Sequence, residues 1–440
     1  MSPSRSDSTR SRIVVDVLRD AFAEGMERAP TAYRTKFRSM AHDPHSFYRG
    51  SAPLFYRDVT RLEAPWVDER SSRIWVHGDL HVENFGTYLD SAGRLVFDVN
   101  DFDEAYVGHW TWDLLRFAAS LALVAWQKAL PDEKVRGLVE AYVRAYLRQV
   151  NHYLGTPDDT EFALLLDNAK GPVLDVLHRA RETRRVDLLD SMTVVEDHQR
   201  VFTEGDGRRR LSKADRAKVL DAFERYLPTV PEDKRSHIPV FYDVRDVAST
   251  RTHGIGSAGQ TSYVLLLEGH SQALENDVVV QMKQASVPAL SRFVDSEAIE
   301  AAFEHEAHRT VVSQRALQAH TDSLLGHTTI DGVGYVVSEI SPYEVDLDWS
   351  EINEPEDMRA VVDLLGRATA KIHCASDEDS HQDLVEFQVE EAVAASVEGG
   401  RTEFREWVAA RGMEYAAQVR TDHALFVEAF RAGRFGLDAV

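Results

Sequence analysis

Cysteine is almost absent. Cys374 is the only one in 440 residues, which excludes an intrachain disulfide and a cysteine-built zinc site and fits a reducing compartment. Positive charge is scarce as well: 50 Lys and Arg stand against 73 Asp and Glu, a net charge of -23, so most of the surface would repel a phosphate backbone and no nucleic-acid partner is expected. Long apolar runs are missing. FAASLALVAW (117–126) falls short of the roughly 18 residues that a membrane helix needs, and the polar opening MSPSRSDSTRSR leads into no apolar segment. The chain therefore reads as cytoplasmic, with neither a membrane span nor an export signal.

What is present is a globular composition, 43% hydrophobic, with Trp, Tyr and Phe spread along the whole length. A chain this long suggests two or more lobes. Residues 1–10 read as a disordered tail, and SRIVVDVLRDAFAEGM then spaces its apolar residues as a helix does. From residue 73 the pattern turns to short strands: RIWVH, then NFGTYL and RLVFDV joined by DSAG as a hairpin. After Trp110 it is helical for a long way, with EGDGRRRLSKADR (204–217) as a polar surface loop before the next helix. Near residue 240 it changes again: strand, glycine turn, two strands, a helix with Ser296 as N-cap, and two more strands. That order suits a small nucleotide-binding lobe. Residues 356–375 and 382–433 read as helices.

Four features carry chemistry. In HGDLHVEN, Asp79 and Asn84 have the H-x-D-x-x-x-x-N spacing of a phosphotransferase loop, where a carboxylate accepts a hydroxyl proton and a neutral oxygen binds magnesium. In DVNDFDEA (98–105), Asp101 occupies the place of the D-F-G aspartate that holds magnesium, with Asp103 where the glycine would be. A calcium loop is excluded there, because position 5 would be Phe102 and position 6 is not glycine. Asp98 and Asp103 read as capping or supporting groups, and Asp113 as a helix N-terminal carboxylate with a structural role. HGIGSAG offers Gly254, Gly256 and Gly259 between two strands, which suits a flap over phosphates better than a dinucleotide fold, since no helix follows. Lys283 sits in the apolar strand VVVQMKQA, with Gln281 on its face and Val278, Val280 and Met282 on the other. Its helix partner would be Glu304 or Glu306. The flanking His77 and His81 also permit a metal-dependent phosphoesterase, but that leaves the glycine turn and Lys283 without a use.

Together with KFRSMAHDPHSFYRGSA, FDVNDFDEAYVGHWTWDLLRFAASLAL and RATAKIHCASD, these motifs resemble the bacterial family catalogued as domain of unknown function twenty-two fifty-two, in the protein-kinase-like and aminoglycoside-phosphotransferase-like superfamily. The resemblance covers most of the chain. It implies an α+β, circularly permuted kinase-like fold, because the H-x-D loop precedes the glycine turn and LLGRATAKIH (364–373), similar to the helix that usually leads into that loop, comes last. The implied layout is a helical lobe over 11–239 with the catalytic loop and metal hairpin, a β-rich nucleotide lobe over 240–345, and helices from 346–440 returning to the larger lobe. By position it implies Asp79 as the catalytic aspartate, Asn84 and Asp101 as magnesium ligands, Gly254, Gly256 and Gly259 as the flap, Lys283 as the phosphate lysine, and Arg49 reaching phosphates or Asp79. ATP and Mg2+ are the implied cofactors. The acceptor would be a small molecule or a protein. Where the family often has a helix glutamate this chain has Ser313, and Glu306, seven residues earlier on roughly the same face, is the expected substitute. Loss of turnover, leaving a nucleotide-binding module, and nucleotidyl transfer are the alternatives on this fold.

Overall fold

In the structure, a computed structural model, residues 5–437 are described except 157, 206, 239, 252–257, 295–296, 319, 381 and 383. Four helices open it: α1 (Arg5–Arg28), α2 (Pro30–Met40), α3 (Pro44–Gly50) and α4 (Ala52–Val59). Helix α1 starts inside the segment read as a tail. Arg10 fixes it there, pairing with Asp58 and Asp422 at 2.5 Å each. Strand β1 (Ile74–Val76) follows, then the hairpin β2 (Phe85–Leu89) and β3 (Leu95–Val99), and β4 (Tyr106–Gly108), which returns antiparallel to β1.

Helices α5 (Trp110–Gln127) and α6 (Asp132–Tyr153) are the centre of the larger unit, followed by α7 (Gly171–Glu182) and α8 (Arg185–Met192). All of the first sixteen residues of α5 are buried, including the polar Thr111, Asp113, Arg116 and Ser120, and of these Asp113 and Arg116 belong to the site below. Next come the hairpin β5 (Thr193–Glu196) and β6 (Gln199–Phe202), the short β7 (Arg209–Arg210), and α9 (Lys213–Tyr226), capped by Ser212. The 204–217 segment is thus not only loop: its arginines pair with Ala248 and Ser249 as an edge strand.

The sheet unit comprises β8 (Val244–Arg251), β9 (Thr261–Leu267), β10 (Val278–Gln284), the short α10 (Glu297–Ala301), α11 (Glu306–Gln318), β11 (Gly326–Ile330) and β12 (Val333–Glu339). Its six strands are all antiparallel, in the order β11-β12-β10-β9-β8-β7. The single helix expected from Ser296 onward is two, because His305 accepts the His308 backbone N–H at 3.1 Å and starts α11 afresh; Ser296 itself lies outside the described residues. The alternation read in VVVQMKQ holds: Val278, Val280 and Met282 pack on Val219, Phe223 and Tyr226 of α9. The sheet unit therefore begins before residue 240, since α9 contributes Val219, Ala222, Phe223 and Tyr226 to that core.

Three helices finish the chain: α12 (Pro355–Cys374), α13 (Val389–Ser396) and α14 (Arg401–Arg431). They return to the larger unit, whose apolar core runs continuously from Val14 to Leu437. Phe37 of α2 meets Phe426, Phe430 and Phe435 edge-on at 4.9–5.7 Å, so the two ends of the chain pack on each other. Gly366 lets α12 lie against α6, because a Cβ there would collide with the Tyr142 carbonyl. The segment joining β12 to α12 is bound along β2: Thr87 N–H donates to Val345 O and Leu347 N–H to Phe85 O, both at 3.0 Å.

One buried cation ties three of these pieces together. Lys371 of α12 donates to Asp98 of β3 at 2.5 Å and to the Gln318 carbonyl, at the end of α11, at 2.8 Å, and both charged residues are only 3% exposed. Removing one member of such a pair strands the other in the core. Asp98→Ala should lower unfolding free energy by about 3–5 kcal/mol in urea titration, and adding Lys371→Met should recover part of the loss.

Candidate functional site

The loop after β1 is held from below by one carboxylate. Asp113, in the first turn of α5, accepts the backbone N–H of His77 at 2.6 Å and of Gly78 at 3.1 Å. It also accepts from His373 Nε2 of α12 at 3.1 Å, while the Tyr146 hydroxyl donates to His373 Nδ1 at 2.9 Å. Burial alone would raise the Asp113 carboxyl, but the bonds from His373 and the loop amides outweigh it and hold it below the ordinary range. Gly78 has φ +83, and a Cβ at that position would strike the Glu104 carbonyl, so the turn requires glycine. The His77 ring spans the loop, donating from Nε2 to Asn100 O at 2.8 Å.

Asp79 emerges from this loop against Arg116, whose Nε lies 2.6 Å from Oδ1. Arg116 is fully buried, stacked 4.3 Å from the Tyr48 ring centre, and its Nη1 is buried without a partner. Burial raises the Asp79 carboxyl above the ordinary value in spite of Arg116. Asn84 donates its Nδ2 to the Asp79 carbonyl at 2.9 Å, which leaves its Oδ1 for another partner. Arg49 does not reach Asp79. It pairs with Glu83 instead, because α3 places it beside His45, 3.5 Å from the same carboxylate. Arg116 takes the expected role. It stood in the sequence as a lone arginine in an apolar helix, three residues and so one helix face from Asp113.

The 101–104 turn faces this loop. Asp101 has φ +58, a left-handed backbone that a non-glycine residue adopts at a cost of about 1–3 kcal/mol, and its carboxylate has no hydrogen-bond or ion-pair partner among the described residues. Phe102 is buried against the His77 ring, 5.3 Å between centres. Asp103 receives the Lys283 ammonium at 2.5 Å across 180 residues of sequence. Burial pushes that ammonium down, but the fields of Asp103 and Asp101 outweigh it and hold Lys283 above its ordinary value. Glu104, raised by burial to about 7, accepts the Ala289 backbone N–H.

The expected Lys283–Glu306 pair is not formed. Glu306 binds Arg309 at 2.8 Å, and Arg309, 2% exposed, grips the carbonyls of Ala105, Asp103 and Ser286 at 2.6, 2.8 and 3.0 Å. Helix α11 is thus bound to the acidic turn through backbone carbonyls and an arginine, where a glutamate was expected. Ser313 is buried and bonds only within its helix, to Thr310 O at 2.9 Å. Of the glycine turn, Gly254 and Gly256 lie outside the described residues. Gly259 (φ +77) rests on α2, where its Cβ would come within 2.7 Å of the Ala29 Cβ. Among the described residues the only close group of potential transition-metal ligands lies elsewhere: Glu304, His305 and His327, with ligand atoms within 4.8 Å of one another.

The chain is therefore an α+β protein in which a loop and a turn rich in carboxylates, carried by the helical unit, face a lysine-bearing six-stranded sheet. It belongs to DUF2252, a family of uncharacterised proteins conserved in bacteria, whose profile matches residues 28–429. No curated protein and no solved structure matches it. No helix is long and apolar enough to cross a membrane among the described residues.

Asp113→Asn turns a donor toward two buried amides, so it should lower stability by about 1–3 kcal/mol for each acceptor lost. Because the folded carboxyl is held low, its contribution is complete above the unfolded pKa of about 3.9 and fades as pH falls through the depressed folded value. The gap between wild type and variant in urea titrations should therefore narrow below about pH 4.

Proposed function

We propose that this protein is an ATP- and Mg2+-dependent phosphotransferase acting on a hydroxyl of a small molecule or protein, on a circularly permuted kinase-like fold. The observation that carries the proposal is the Lys283–Asp103 contact at 2.5 Å. It brings the lysine of the strand after the glycine turn to the acidic turn beside Asp79, although the chain order of the two halves is reversed. The order of strands β8, β9 and β10, then helices α10 and α11, then strands β11 and β12 supports the same view. So does α12, whose His373 reaches the carboxylate under His77 and Gly78 from the end of the helix that would ordinarily precede them.

The residues divide the work by chemistry. Asp79 accepts the proton of the attacking hydroxyl as its oxygen bonds to the γ-phosphorus and the bond to the ADP oxygen breaks; Arg116 fixes the orientation of that carboxylate. Asn84 Oδ1 and Asp101, neither with another hydrogen-bond or ion-pair partner among the described residues, would hold Mg2+, which neutralises phosphate charge when bound. Lys283 serves the nucleotide phosphates, and the glycine-turn amides close over them. A second reading, a nucleotide-binding module without turnover, is favoured by the absence of a helix carboxylate on Lys283.

ATP labelled separately at its α and γ phosphates, incubated with a metabolite library, separates the readings. Label from γ on a product is expected; label from α would make it a nucleotidyl transferase, and saturable binding with neither would make it a sensor. Asp79→Ala should reduce γ transfer about 10²–10⁴-fold while nucleotide binding persists. Since the Asp79 carboxyl is raised, the rate should fall on the acid side with a midpoint above about 3.9, the ordinary Asp value.

A further inference from the structure

The N-terminal helices carry a charge that nothing so far uses. Lys36 of α2 is 6% exposed, and its ammonium lies 4.0 Å from the centre of the Phe22 ring. It has no hydrogen bond and no ion pair among the described residues. The chain has only nine lysines, and the other two that turn inward at this site, Lys283 and Lys371, each hold a carboxylate at 2.5 Å. A cation–π contact offsets only part of what burial of an unpaired ammonium costs. Burial accordingly brings Lys36 down to about 8, against the opposing pull of Glu104 and Asp79.

Its surroundings say which anion is missing. Ala29, Ala32, Tyr33 and Lys36 follow the i, i+3, i+4, i+7 spacing of one helix face. The first three meet Gly259, whose Cβ would lie 2.7, 3.8 and 3.6 Å from Ala29, Ala32 and Tyr33. One turn further along, the opposing charges whose fields act on Lys36 are those of Glu104 and Asp79. The face therefore runs from the glycine turn at one end to the Asp79 loop at the other. Two further cationic N–H groups on that loop's side, Arg116 Nη1 and Arg49 Nε, are buried without acceptors.

We infer that α2 is a wall of the cleft and that Lys36 binds a non-bridging oxygen of the phosphoryl group passing from nucleotide to acceptor. This rests on the phosphotransferase proposal, which puts nucleotide phosphates under the glycine turn and the accepting hydroxyl at Asp79. The phosphoryl group in transit lies between those two, and the α2 face spans the same interval. Lys36 makes no covalent bond and moves no proton; its charge meets the oxygens as the bond to ADP breaks.

The test is calorimetric titration of the full-length protein with Mg2+ and either ADP or the non-hydrolysable β,γ-imido analogue of ATP, for wild type and Lys36→Met. The variant should bind the triphosphate analogue at least tenfold more weakly and ADP within twofold of wild type. Without nucleotide it should melt no lower than wild type, because the desolvation cost it removes exceeds the cation–π contact with Phe22 that it loses. If Lys36→Met keeps the wild-type preference for triphosphate over diphosphate, the assignment is wrong and the phosphotransferase proposal stands. A lower melting temperature with both nucleotides weakened equally overturns it in favour of a structural role. If wild type binds neither nucleotide, the phosphotransferase proposal fails and the assignment with it. Lys36→Gln, which keeps the stem and loses the charge, gives the same comparison should Lys36→Met not fold.

Discussion

The carboxylate of Asp113 is the point on which the rest of the site depends. It is fully buried, sits at the start of an otherwise apolar helix, and is satisfied by two amides of the 77–84 loop and the imidazole of His373. A helix N-terminus is the right place for a negative charge, since its free N–H groups and dipole oppose desolvation. One turn further along α5, the buried guanidinium of Arg116 is neutralised by Asp79 and fixes that carboxylate in turn. Loop position and carboxylate orientation are therefore set by two side chains of a single rigid helix, with α12 closing the third side.

A second set of buried charges joins the two units. Lys371 holds Asp98 and the end of α11, Arg309 holds the backbone of the 103–105 turn, and Lys283 holds Asp103. Each contact starts from a helix or strand and ends on the hairpin that carries Asp101. The one acidic group in that hairpin left without a partner is Asp101, whose backbone is also in the left-handed region. Strain kept at a residue with a free carboxylate, inside a frame of satisfied charges, is the pattern expected where a ligand is to be received.

Much of this was legible in the sequence. The α+β class, the hairpin over 85–99, the inward face of VVVQMKQ and the helical end of the chain follow from periodicity and turn residues, which act locally. The partners of the charged residues were not legible in the same way. Arg49 was expected at the phosphates or at Asp79, and it meets Glu83, a pairing set by how α3 packs and encoded by no local pattern. Glu306 was chosen by helical spacing, yet Arg309 lies nearer on its own helix and takes it. The start of α1 at Arg5 and of the sheet unit before residue 240 were missed for one reason: both depend on contacts with residues far along the chain, Asp422 in one case and β8 to β10 in the other.

The bond between Asp113 and His373 spans 260 residues, which gives it a meaning during synthesis. At about 5–20 residues per second, the ribosome delivers His373 roughly 15–50 s after Asp113 has emerged. Throughout that interval Asp113 has only the amides of the 77–84 loop to satisfy it, and the apolar helix around it waits for α12 and α14 to cover it. The nascent chain therefore carries this loop and helix without their last partner for most of its own translation.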